Sequence, residues 1–72
     1  MNVSDLLSEI VRRNVSSLES GAALREVPGW DSLKGVRLVL RLEEIVGREL
    51  TENEVEGLRR ISDIEAILSK ST

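Results

Sequence analysis

Apolar residues recur along the chain with the rhythm of helices. Leu6, Leu7, Ile10, Val11, Val15 and Leu18 fall at three- and four-residue spacings behind Ser4, a good N-cap, which predicts a first helix over about residues 4–18 with Arg12, Arg13 and Ser16 off its apolar face. The rhythm then stops. Residues 19–31 hold Gly21 and the Pro28-Gly29 pair and read as a long connection, anchored by Leu24 and Val27 and closed by Trp30. From Ser32 to about residue 46 the pattern returns in its densest form. Leu33, Val36, Val39, Leu40 and Val46 make one stripe, widened by Leu38, Leu42 and Ile45, so this second helix is expected at the centre with neighbours on several sides. Gly47 stands where a left-handed C-terminal cap belongs.

Two short helices follow. Thr51-Glu52-Asn53-Glu54 is a capping box opening a third helix, with Val55 and Leu58 as apolar contacts and Gly57 limiting its length. Ser62-Asp63-Ile64-Glu65 reads as a second box opening a fourth helix at about 63–70, stapled by Ile61, with Ile64, Ile67 and Leu68 facing in. The expected fold is all-α: an irregular antiparallel four-helix bundle with a long first loop and a short third helix, forming a single domain over 1–72. No heptad run is long enough for a coiled coil.

Composition narrows the function. The chain has 40% apolar residues but one aromatic, Trp30, so its core is built from Leu, Val and Ile. There is no Cys, which leaves no disulfide or thiolate metal site, and no His, the commonest general base and metal ligand. No metal site or catalytic set is expected. No apolar run of about 18 residues exists, and the first residues lack a basic-then-apolar leader, so a cytoplasmic protein without a membrane span is expected. Net charge is −3, and the lone pairs Arg12-Arg13 and Arg59-Arg60 are too sparse to suggest nucleic acid. The charge is uneven: the segment from Ser32 to Thr51 is net positive, while both flanks are acidic.

The candidate chemistry sits in Pro28-Gly29-Trp30-Asp31-Ser32-Leu33, where loop becomes helix. Asp31 and Ser32 are both capable caps. Gly35 stands where a capping box would place Glu or Gln, so Asp31 can cap while the Ser32 hydroxyl stays uncommitted. A group esterified there would meet the positive end of the helix dipole, which suits an anion such as a phosphodiester. Hydrolytic use of Ser32 would need an adjacent base that the chain does not supply. Trp30 reads first as a packing residue at the core edge, with room for a part in docking. Gly35 reads first as a local packing choice, and second as relief of crowding beside Ser32.

The order of helix, long loop, Gly29-Trp30-Asp31-Ser32-Leu33, apolar helix through Leu42-Glu43-Glu44, short capped helix and Ile61-Ser62-Asp63-Ile64 resembles the acyl carrier protein family over nearly the whole chain. The resemblance implies a carrier and not an enzyme. Ser32 would receive 4′-phosphopantetheine from coenzyme A through a phosphopantetheinyl transferase that recognises Asp31 and Leu33. The arm's thiol would then shuttle acyl groups as thioesters between acyl-loading and acyl-processing enzymes, with the chain a monomer. Val36, Arg37 and Leu40 are the expected partner contacts. Acyl chains are expected to enter between the helices of so soft a core. The Gly-Trp-Asp-Ser-Leu form is similar to discrete carriers of secondary-metabolite, polyketide-type biosynthesis. Fatty-acid carriers typically place acids where Lys34, Arg37 and Arg41 stand here, which points to dedicated partners with an acidic or apolar docking surface. The alternatives are a carrier in fatty-acid or aminoacyl/peptidyl biosynthesis, or a small helical interaction module without a prosthetic group.

Overall fold

A computed structural model describes residues 2–13, 15, 19 and 21–70. Four helices follow one another: α1 (Val3–Val11), α2 (Ser32–Val46), α3 (Glu52–Glu56) and α4 (Ile61–Lys70), with a 3₁₀ turn at Leu24–Glu26 inside the long first connection. Among the described residues there is no strand, and no helix is long and apolar enough to cross a membrane. The all-α bundle expected from the periodicity is the observed fold.

The core is aliphatic. Leu6, Leu7, Ile10 and Val11 of α1 meet Leu38 and Leu42 of α2 and Ile61, Ile64 and Ile67 of α4, and Val15, Leu24 and Val27 of the connection close the rest. Each of α1, α2 and α4 packs on the other two. The short α3 contributes no buried residue and leans on the edge of this core.

The first helix departs from its expected bounds at both ends. Asn2, not Ser4, is the N-cap: its Oδ1 accepts from the Asp5 N–H at 2.8 Å, which places Ser4 inside the first turn. The helix stops at Val11, because Arg12 takes up the left-handed conformation at φ 56°. Val15 is nevertheless buried. The Ser8 hydroxyl accepts from the Val15 N–H at 2.9 Å and donates to the Val15 carbonyl at 3.3 Å, holding the chain against α1 after the helix has ended. Ser16 and Leu18 lie outside the described residues.

The long connection is stitched to the start of α4. The Leu24 N–H donates to the Arg59 carbonyl and the Ile61 N–H to the Ala22 carbonyl, an antiparallel bridge pairing Ala23 with Arg60. The fourth helix consequently begins at Ile61, two residues before its expected start. Ser62 is not its cap. The Asp63 carboxylate reaches back to accept from the N–H groups of Arg59 and Arg60 at 3.1 and 2.9 Å, supplying the acidic half of a capping box without the hydroxyl half. The box at α3 is complete: Thr51 Oγ1 accepts from the Glu54 N–H, and Glu54 Oε1 accepts from the Thr51 N–H.

The second helix keeps its expected bounds and ends at Gly47, left-handed at φ 75°. Its wide apolar circumference is only partly covered. Leu38 and Leu42 are buried, whereas Leu33, Val36 and Leu40 remain 53%, 56% and 55% exposed. Neighbours on several sides were the expectation, and α1 and α4 supply them. With α3 at the core's edge, α2 has cover only toward α1, α4 and the connection.

Candidate functional site

The site is built by the turn that precedes α2. Pro28 fixes one backbone angle, Gly29 takes φ +83°, and the Trp30 N–H donates to the Val27 carbonyl at 3.0 Å. That is a type II turn, whose third position needs a residue tolerant of positive φ. A side chain at Gly29 would also come within 3.5 Å of Arg13 Nε. The turn delivers Trp30, half-buried against the core, and then Asp31 in an extended conformation.

Asp31 is the N-cap. Its Oδ1 accepts from the Lys34 N–H at 2.9 Å and its carbonyl accepts from the Gly35 N–H at 3.1 Å. The bond from the Lys34 backbone, with the Lys34 ammonium 3.7 Å from Oδ2 as a lesser contribution, holds the carboxyl below its ordinary pKa. Asp31 is therefore a fixed negative group that caps the helix, so the cap does not need the next residue. Ser32 follows as the first helical residue. It is exposed, and its hydroxyl makes no hydrogen bond among the described residues. The local reading of Asp31 as cap and Ser32 as a free alcohol matches this geometry.

Beside Ser32 opens an apolar groove of about 260 Å³ between α2 and α3, with Trp30, Gly35, Val39, Val55 and Leu58 in its lining. An ideal Cβ at Gly35 would meet nothing within 4 Å. Packing within the chain therefore does not require the glycine, contrary to the first expectation. What Gly35 leaves open is space along the groove that Ser32 shares.

The expected partner contacts lie together on the outside of α2. Val36 and Leu40 form the exposed apolar strip with Leu33, and Arg37 lies among them. Of the three bases on this helix, Lys34 is drawn to Asp31, and Arg41 pairs with Glu9 at 2.9 Å and Glu44 at 3.6 Å. Arg37 has no ion pair among the described residues. The free positive charge of this face is thus narrower than the sequence suggests.

Two features escape sequence reasoning. The Ser8–Val15 latch links residues seven apart outside any helical repeat. The second is a larger groove of about 420 Å³, also walled by Trp30, whose lining brings together Arg25, Arg59 and Arg60. No local pattern joins those positions; the backbone bonds between the connection and the start of α4 do.

No protein-family profile matches the chain, and no curated protein matches it. Among solved structures it is similar to "a putative acyl carrier protein" from Mycobacterium tuberculosis, with a TM-score of 0.79 and 18% identity over 94% of this chain and 90% of that one. At that identity the likeness establishes a shared fold.

Proposed function

We propose that this chain is a discrete acyl carrier protein that is modified on Ser32 and is not itself an enzyme. One observation carries the reading. In a fold shared with a protein given that designation, the first residue of the central helix presents an exposed hydroxyl that the helix start does not use, because Asp31 caps in its place.

The residues present fit a 4′-phosphopantetheine arm. In the attachment step Ser32 Oγ bonds to the phosphorus of coenzyme A that bears the pantetheine. Its proton passes to a base of the transferase, and adenosine bisphosphate leaves. Ser32 would hold the phosphodiester at the head of α2, where the positive end of the helix dipole suits its charge. Asp31 keeps that first turn ordered, and with Leu33 it gives the transferase a charged and an apolar contact on either side of the hydroxyl. When bound, the arm supplies the thiol that the polypeptide lacks and carries acyl groups as thioesters.

Val36, Arg37 and Leu40 form the surface that meets acyl-loading and acyl-processing enzymes. An apolar strip with one unpaired guanidinium selects partners with an apolar patch and a carboxylate. The Gly-Trp-Asp-Ser-Leu form is the support for placing it in a dedicated secondary-metabolite pathway of polyketide type.

Intact-protein mass spectrometry after incubation with coenzyme A and a broad-specificity phosphopantetheinyl transferase tests the reading. The wild-type chain gains the mass of one arm and Ser32→Ala gains nothing. Absence of the gain in the wild type leaves the interaction module, for which the exposed Leu33-Val36-Leu40 strip would be the contact face.

A further inference from the structure

The two adjoining grooves beside Trp30 have Leu24, Trp30 and Leu58 in both linings, and Ser32 lines the first; taken together they make a trough. Its near half is apolar. Its far half is ringed by Arg25, Arg59 and Arg60. Three exposed arginines line this one hollow, and in a chain of net charge −3 acids are available to pair with them. Yet none of the three makes an ion pair among the described residues.

The neighbouring carboxylates are directed to backbone groups instead. Asp63 accepts from the N–H groups of Arg59 and Arg60, and Glu26 Oε2 accepts from the Ala23 N–H. They moderate the local potential without closing the guanidinium forks. Arg60 Nη1 donates to the Gly21 carbonyl at 3.2 Å and Arg59 Nε to the Glu56 carbonyl at 3.4 Å. Each contact uses one N–H of its guanidinium; the others have no protein partner among the described residues, and such groups suit a carboxylate.

We propose that this trough receives the cargo of the Ser32 arm, and that the cargo is an acyl chain ending in a carboxylate. The aliphatic stretch lies along Leu24, Trp30 and Leu58, and the terminal carboxylate meets Arg25, Arg59 and Arg60. The assignment rests on the carrier reading and deepens it by naming the class of acyl group.

The test loads the intact chain through coenzyme A analogues with two hydrolysis-resistant amide-linked cargoes of equal carbon count, octanoyl and octanedioyl. Mass spectrometry first verifies loading. Proton–nitrogen NMR then follows the Trp30 indole N–H and the Nε–H signals of Arg25, Arg59 and Arg60, relative to the chain bearing the arm alone. Both cargoes move the Trp30 signal. The octanedioyl cargo moves the arginine signals several-fold further than octanoyl, and Arg25→Gln and Arg59→Gln each reduce that excess while circular dichroism shows an unchanged fold. Equal arginine shifts for the two cargoes, or arginine signals that stay at their unloaded positions, overturn the inference and leave the carrier reading standing. A chain that takes no arm is detected at the mass step and overturns both.

Discussion

Removing the same hydroxyl from two serines, Ser8→Ala and Ser32→Ala, is expected to give opposite results. At Ser8 the hydroxyl holds both polar groups of Val15, at 2.9 and 3.3 Å, in a partly buried position. Its loss leaves those groups without partners, at a cost of about 1–3 kcal/mol. A 72-residue domain has a total stability of roughly 4–11 kcal/mol, taken at 0.05–0.15 kcal/mol per residue. The melting temperature should therefore fall by roughly 4–8 °C for each kcal/mol lost. At Ser32 nothing in the fold depends on the hydroxyl, so the change should stay within about 0.5 kcal/mol. Thr51→Ala is the yardstick for a true cap: Thr51 Oγ1 accepts from the Glu54 N–H at 3.1 Å, and loss of such a cap typically costs ~1 kcal/mol. Urea and thermal unfolding of the three variants, followed by transferase loading read by mass, separate the two roles. Ser8→Ala should be destabilised yet accept the arm below its melting temperature, whereas Ser32→Ala should be as stable as the parent and accept none. If Ser32→Ala proves as costly as Thr51→Ala, the hydroxyl is a cap after all and the case for an uncommitted nucleophile fails.

Three further outcomes are expected. Leu42→Ala removes a fully buried side chain between α1 and α4 and should cost about 2–5 kcal/mol in urea unfolding; a smaller loss would mean that this part of the core relaxes into the cavity. Arg48 grips Glu54 through two 2.9 Å hydrogen bonds, chiefly responsible for lowering the Glu54 carboxyl from 4.5 to about 2. Because the folded value lies below the unfolded one, the contribution to stability is complete above about pH 4.5 and disappears as the pH falls toward 2; Arg48→Leu should flatten thermal midpoints across that interval, and an unchanged slope would deny the coupling. Gly35→Ala has open space for its Cβ and should raise stability by up to about 1 kcal/mol, while slowing arm attachment if the groove beside Ser32 must stay clear; unchanged loading kinetics would remove the crowding explanation.

The second helix was legible because both its boundaries are local: Asp31 and Ser32 open it, and Gly47 closes it in the conformation that glycine favours. The end of α1 was not. Val15 continues the apolar rhythm but is itself not helical, and the contact with Ser8 holds it in place. At α4, hydroxyl and carboxylate stood side by side, and the bridge to Ala23 decided for Asp63 by starting the helix at Ile61. The apolar breadth of α2 was plain in the pattern, but which part stays bare depends on how little of it α3 covers. Ser32 could be singled out by its place beside Asp31; its proposed role drew on the family resemblance. The arginines around Trp30 could not be found, since residues more than thirty positions apart meet only through tertiary backbone bonds.

The third helix has no side chain in the core, yet Val55 and Leu58 at its end form a wall of the trough. Five residues cannot sustain a helix alone, so α3 persists through its cap, the Arg48 clasp and edge contacts. Local opening is easiest where few buried contacts hold an element, and among the four described helices only α3 buries no side chain. If the chain is the carrier proposed above, α3 would be the shutter: an elongated guest would enter by making that one short segment yield, with the three packed rods left undisturbed.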